Sequence, residues 1–222
     1  MNDRRRRPIA LVTLLFVSVA GAALATAADS PAGREAQFTR LVARAGLGSK
    51  RRSLEAAFGR TAHGDSLTRV ATLYRRASRR EPSEESAAIL GELDRLRADP
   101  EAALATLRQG LSKLPPSLER ERQFLVQVAA RLPANEQARA ELLAGQIRRR
   151  PTAGDSPLAI FTAAVAVEQL AALTFDRARV RQVVADAVAA RDELNYRRLL
   201  LAVLGKTDPQ GAALLKQRHG IE

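Results

Sequence analysis

The chain has 222 residues, 46% of them hydrophobic, with no Cys, no Trp and a formal net charge of +12. Without cysteine there is no disulfide, no thiolate metal site and no Cys nucleophile, so the fold must rest on a buried apolar core. With only 4% aromatic residues, that core is built mainly from Ala, Leu and Val, which suits closely packed helices and argues against a β-sandwich.

The chain opens with four Arg at 4–7, an apolar run over 9–25 and the small-residue end Ala25-Thr26-Ala27. A positive head, an apolar middle and an A-x-A end are the three parts of a secretory signal. The expectation is therefore a signal peptide over 1–27 and a single domain over 28–222. The alternative is an inner-membrane anchor formed by residues 9–25. Those 17 residues are at the short limit for a hydrocarbon core of about 30 Å. Without residues 1–27, which hold four Arg and Asp3, 32 basic and 23 acidic side chains remain, a net +9. Such a charge favours anionic partners, although all but four of the basic residues are Arg, as a GC-rich coding bias would give.

The remainder reads as helices in close succession. Apolar spacing and start signals predict them near 34–46, 50–62, 66–80, 83–97, 100–112, 117–131, 134–149, 157–173, 176–190, 192–204 and 208–218. Asp99-Pro100, Ser156-Pro157 and Asp208-Pro209 each offer an N-cap acceptor followed by proline at the first helical position, where its missing N–H costs nothing. Ser83-Glu84-Glu85 puts two carboxylates at a positive helix start. Leu118, Leu125, Val128, Ala129 and Leu132 fall on one stripe, and so do Val180, Val183, Val184, Ala187 and Val188. The stretch LAIFTAAVAVEQLAAL over 158–173 is apolar nearly all round and is expected to be a central, buried helix.

The helices also recur in pairs. Leu90-Gly91, then Ala103, Leu107 and Gly110, then Pro115 follow a small–bulky–small–proline spacing. Tyr74, Ala77 and Pro82 repeat it one period earlier. Leu143 and Pro151 repeat it one period later, with Gln146 at the small position. Prolines 82, 115 and 151 are 33 and 36 residues apart, near the ~34-residue period of tetratricopeptide (TPR) repeats. Residues 50–151 thus resemble a TPR array, departing from it at Ala87, where Trp is usual, and Asp94, where Tyr is usual. The resemblance implies an all-α fold of stacked helix pairs, a short solenoid of TPR or HEAT type. Residues 28–49 would then be an N-terminal cap and 152–222 C-terminal helices. An irregular helical bundle is the fallback.

Gly64-Asp65-Ser66-Leu67 matches the tetrapeptide of GDSL esterases, but no buried strand precedes it and neither His63 nor His219 follows the expected Asp-x-x-His. Asp65 or Ser66 is expected instead to cap a helix beginning at Leu67. The two histidines do not make a familiar zinc site, no nucleotide-binding loop is present, and no metal, cofactor or catalysis is expected. Basic clusters stand at Lys50-Arg51-Arg52, Arg75, Arg76, Arg79, Arg80, Arg148, Arg149, Arg150 and Arg197-Arg198. Nucleic acid is disfavoured because aromatics for stacking are lacking.

The expected function is an exported, non-catalytic module that binds a protein or peptide partner in the cell envelope, in the periplasm after cleavage. The TPR resemblance implies a groove lined by first-helix residues over 83–97 and 117–131, where Arg95, Arg97, Arg120 and Arg122 would clamp acidic groups. The alternative is a membrane-surface protein meeting anionic lipid or envelope polysaccharide through Arg75, Arg76, Arg79, Arg80, Arg148, Arg149 and Arg150.

Overall fold

Four helix starts are fixed by one Asp or Asn side chain each. Asp99, Asn135, Asp176 and Asp208 accept from the backbone N–H three residues on, at Ala102 (3.2 Å), Ala138 (3.1 Å), Arg179 (3.0 Å) and Gly211 (2.9 Å). Each satisfies one of the amides that a helix start leaves without an internal partner. The computed structural model describes residues 48–78, 83–149, 158–174 and 176–221. The expected leader, the helix expected at 34–46, and Arg79, Arg80, Arg150 and Ser156 lie outside the described residues.

The described residues form ten α-helices and no strand. They are α1 (Gly48–Phe58), α2 (Ala62–Ala77), α3 (Ser83–Ala98), α4 (Pro100–Lys113), α5 (Glu119–Arg131), α6 (Glu136–Arg148), α7 (Leu158–Leu173), α8 (Arg177–Ala189), α9 (Leu194–Gly205) and α10 (Pro209–His219). A single 3₁₀ turn, Pro116–Leu118, leads into α5. Pro100 and Pro209 take the first helical position.

One expected boundary is displaced. Gly59 has φ +78°, a left-handed conformation that glycine adopts without strain. Its N–H closes α1 on the Glu55 carbonyl at 2.8 Å. Thr61 then caps α2, its hydroxyl accepting from the Gly64 N–H at 3.1 Å. A Cβ on Gly64 would collide with the carbonyl oxygens of Phe58 and Gly59, so this corner closes around a glycine. Hence α1 ends four residues early and α2 starts four early. Thr61 is the cap, not Asp65 or Ser66, which lie inside the first turns of the helix.

The apolar faces merge into one continuous core, and the packing centres on two helices. α2 packs against α1, α3, α4 and α5, while α7 packs against α5, α6, α8 and α9. α5 is the element common to both groups. α1 also reaches α4, and α10 closes the far end on α8 and α9. The expected stripes on α5 and α8 are buried throughout. Ala77, Ala103, Leu107, Gly110 and Leu143, at the small and bulky positions of the repeat spacing, are buried too. Gly110 takes the Phe58 ring of α1 directly onto its backbone. Gly91 does not share this use, because a Cβ there would meet no atom within 4 Å.

α7 is central but is not buried all round. Phe161 is 52% exposed and Glu168 faces solvent. Among the described residues no helix is long and apolar enough to cross a membrane. The chain closes with Gly220 at φ +61°, the Ile221 N–H donating to the Lys216 carbonyl at 2.9 Å and Ile221 buried. This is the glycine-terminated cap with its hydrophobic contact.

Candidate functional site: a buried charge network and two concave surfaces

α5 begins Glu119-Arg120-Glu121-Arg122, and three of these four are buried: Glu119 (2% exposed), Glu121 (1%) and Arg122 (2%). Buried charges persist only when they find partners, and each of the three is paired with an opposite charge. Arg122 donates to the carbonyls of Leu114 (2.6 Å) and Leu111 (2.5 Å) at the end of α4, and its Nε lies 3.3 Å from Glu119. The same Glu119 accepts from Arg149 at 2.9 Å and from the Thr162 hydroxyl of α7. Glu121 pairs with Arg75 of α2 at 2.7 Å.

A further layer surrounds this cluster. Arg191 donates to the Arg149 carbonyl at 2.6 Å and stacks 3.9 Å over the Tyr196 ring. The Tyr196 hydroxyl donates to the Ile147 carbonyl at 2.8 Å, and burial pushes its pKa up. Side chains from α2, α7 and the C-terminal cap of α6 therefore meet around the first turn of α5. Each carboxylate in the cluster faces a guanidinium, which suits a structural lock.

The four arginines expected to clamp a partner are thus not equivalent. Arg122 is withdrawn into the core, because three elements converge on it and the α4 carbonyls take its donors. Arg95 lies 3.3 Å from Glu92, and Arg97 donates to Asp94 at 3.2 Å, both near the C-terminal end of α3. Arg120 is exposed. Its charge acts on Tyr74, whose hydroxyl is held above its ordinary pKa chiefly by burial. The Tyr74 ring stacks on Phe124 at 4.0 Å between centroids.

The arginines expected to meet an anionic surface divide in the same way. Arg75 and Arg149 turn inward to Glu121 and Glu119, and Arg76 lies 3.4 Å from the buried Glu85. Arg148 stays half exposed, 3.0 Å from Asp186.

Ser66 is buried within α2. His63, one turn earlier, has its Nε2 3.6 Å from Asp99, so a carboxylate does stand near that histidine. Yet Asp99 spends its other oxygen capping α4, and no hydrogen bond joins Ser66 to His63 among the described residues. The nucleophile and base needed for acyl transfer are not connected. No group of three or more His, Asp or Glu side chains that would hold a metal occurs among the described residues.

Two concave surfaces carry polar groups. A groove of about 420 Å³ between α6 and α8 is lined by Glu141, Ala144, Gly145, Arg148, Arg179, Gln182 and Val183. Arg179 donates to Gln137 at 2.6 Å, and Arg108 to Glu141 at 3.2 Å. Hydrogen bonds from Gln137 and Arg108 hold the Glu141 carboxyl below its ordinary pKa.

The second surface is a cleft of about 270 Å³ where α7, α8, α9 and the start of α10 meet. At its edge Asp208 caps α10 and pairs with Arg181 at 2.7 Å. Burial alone would raise the Asp208 pKa, but the Gly211 N–H, Arg181 and Arg177 together hold it below its ordinary 3.8. The ionised form is therefore the stabilising one. Its contribution is fully present above about pH 4 and is lost as pH falls through the depressed folded-state pKa. Asp208→Asn keeps a cap acceptor and removes the charge. Wild type should melt higher than the variant near neutrality, and the gap should close in acid. A gap that widens in acid would contradict this.

The buried network was missed by sequence reasoning, although α5 carried a signal for it. Positions 121 and 122 fall in phase between Leu118 and Leu125 on the apolar stripe, so charges at core positions already called for buried partners. The chain matches no family model, no curated protein and no solved structure.

Proposed function

We propose that the chain is an exported, non-catalytic helical module that holds an acidic segment of a protein partner in the cell envelope. The observation that carries this reading is the α6–α8 groove, with an apolar floor of Ala144 and Val183 and a rim that includes Arg148 and Arg179. Both arms of the Arg148–Asp186 pair are about half exposed. Exposed pairs contribute only about 0–1 kcal/mol, so a partner carboxylate exchanges for Asp186 at little cost. Gly145 adds to this. Glycine inside a helix costs about 1 kcal/mol relative to Ala, and a Cβ here would meet nothing within 4 Å. Among the described residues no contact requires the glycine, whereas a partner lying close against the α6 backbone would.

In this reading α1–α6 form a degenerate helix-pair array and the groove lies where its last pair meets the C-terminal helices. The leader-like sequence over 1–27, with its Arg head, apolar run and Ala25-Thr26-Ala27 end, supports the envelope as the compartment. The inward pairing of Arg75, Arg76 and Arg149 thins the flat basic face that a membrane-surface role would use, which is why the groove is preferred.

Crosslinking in intact cells, followed by mass spectrometry, tests the proposal. Wild type should crosslink from α6 or α8 to an acidic stretch of one recurrent envelope protein, with bait peptides starting at Ala28. Arg148→Glu combined with Arg179→Glu should abolish that capture with an unchanged helical melt. Undiminished capture would overturn the groove assignment. Alanine at Arg95, Arg97 and Arg120 tests the first-helix surface in the same assay.

A further inference from the structure

The cleft between α7 and α10 holds a cation, Arg177, that no hydrogen bond or ion pair engages among the described residues. Arg177 is the first residue of α8, a helix with no acidic side chain in its first turn. A positive charge there opposes the helix dipole, offset by the carboxylate of the Asp176 cap beside it. Arg177 is exposed and makes no hydrogen bond or ion pair among the described residues, although its charge reaches Asp208. Lys206 stands with it at the cleft, held only by a 3.5 Å pair with Glu168 in which both partners are more than half exposed.

The cleft has two chemically different parts. Ala171, Val180 and Leu204 supply apolar surface, Val180 and Leu204 being buried. Arg177, Lys206 and the Thr174 hydroxyl supply the polar part, beside Asp208 and a Thr207 hydroxyl that donates to the Leu204 carbonyl at 3.2 Å. The Thr174 oxygen accepts from the Asp176 N–H at 3.2 Å, which leaves its hydroxyl proton to donate. Asp208 does not cancel the positive field, because Arg181 and the Gly211 N–H already engage it. The volume of about 270 Å³ lies just below the ~300–1,000 Å³ of sites for drug-sized ligands. It fits a group about the size of one residue and is too small for a whole nucleotide cofactor.

We infer that this cleft binds a carboxylate attached to a short apolar group, with Arg177 and Lys206 on the carboxylate and Val180 and Leu204 against the apolar part. The inference deepens the proposed binding role and rests on it. A peptide C-terminus ending in a branched apolar residue and a free small carboxylic acid share this chemistry.

Calorimetric titration of the purified chain with N-acetyl-leucine, its amide, inorganic phosphate and a hexapeptide ending in free Leu tests it. Saturable binding of N-acetyl-leucine is expected, at least tenfold weaker for the amide and for phosphate. It should fall at least tenfold in Arg177→Gln with Lys206→Gln, whose helical melt should match wild type. A hexapeptide tighter than N-acetyl-leucine identifies a peptide terminus as the source, and equal affinity identifies a free acid. Absence of saturable binding, equal binding of the amide or phosphate, or an unchanged double variant would overturn the inference. Where the titration overturns the inference, partner crosslinking from the α6–α8 groove of the wild-type chain would show that the cleft assignment had failed by itself.

Discussion

Arg122→Met should destabilise the chain by about 3–5 kcal/mol, the range seen when one member of a buried ion pair is removed. The replacement keeps the aliphatic bulk and deletes the donors. The carbonyls of Leu111 and Leu114 then lose hydrogen bonds of 2.5 and 2.6 Å at a buried helix end, where water does not readily replace them. A lost hydrogen bond to a charged group costs about 1.5–3 kcal/mol, so the two contacts account for the whole range. Against a typical total of about 5–15 kcal/mol, that is a large share.

Arg120→Ala, two residues away and exposed, should change stability by less than about 0.5 kcal/mol. Glu119→Gln should fall between these values, because Arg122 keeps its two carbonyls while Arg149 loses an ionised partner. Urea unfolding of the three variants gives the order directly. An Arg122→Met variant within 1 kcal/mol of wild type would show that the network contributes nothing to the fold. The contrast also separates stability from recognition. Any loss of partner binding in Arg120→Ala is an effect of the surface, whereas a loss in Arg122→Met reports unfolding.

The same four residues show how far the sequence could be read. Helix identity was legible because 3.6-residue spacing and short capping side chains are local, and the caps at Asp99 and Asp208 form where they were expected. The corner between α1 and α2 was not legible, since Thr61 follows a positive-φ glycine and the turn is set by Phe58 and Gly59 packing over Gly64. The repeat spacing located Ala103, Leu107 and Gly110 in the core. It did not show that α5 would join the helices packed on α2 to those packed on α7, because that depends on which faces find each other across long stretches of chain. The partner surface was least legible. Arginines on one helix turn look alike in a sequence, yet Arg120 faces water and Arg122 faces two carbonyls and a carboxylate. Only the phase of Glu121 and Arg122 against Leu118 and Leu125 distinguishes them, and a charge in core phase says that a partner exists without saying where.

Gly110→Ala should lower stability although helix propensity alone predicts the opposite. Alanine is favoured over glycine inside a helix by about 0.8–1.0 kcal/mol, and α4 is otherwise a well-capped helix with Asp99 before it and Pro100 at its start. The Phe58 ring decides the sign. It lies so close to the Gly110 Cα that a Cβ would overlap the ring carbons Cγ, Cδ1 and Cε1. Phe58 is itself buried at the last position of α1, so the ring moves away only if α1 shifts off α4. Overpacking of this kind costs about 1–3 kcal/mol, which exceeds the propensity gain over most of that range, and Gly110→Leu should cost more.

Phe58→Leu supplies the diagnostic partner. It removes the ring, at its own cost, and leaves room for the new methyl group. Combined with Gly110→Ala it should restore the propensity gain, so the pair should show a favourable coupling of about 1 kcal/mol or more in a double-mutant cycle. A Gly110→Ala variant at least as stable as wild type would mean that α1 and α4 do not meet at this glycine. The close approach of the first and fourth helices would then have to be redrawn.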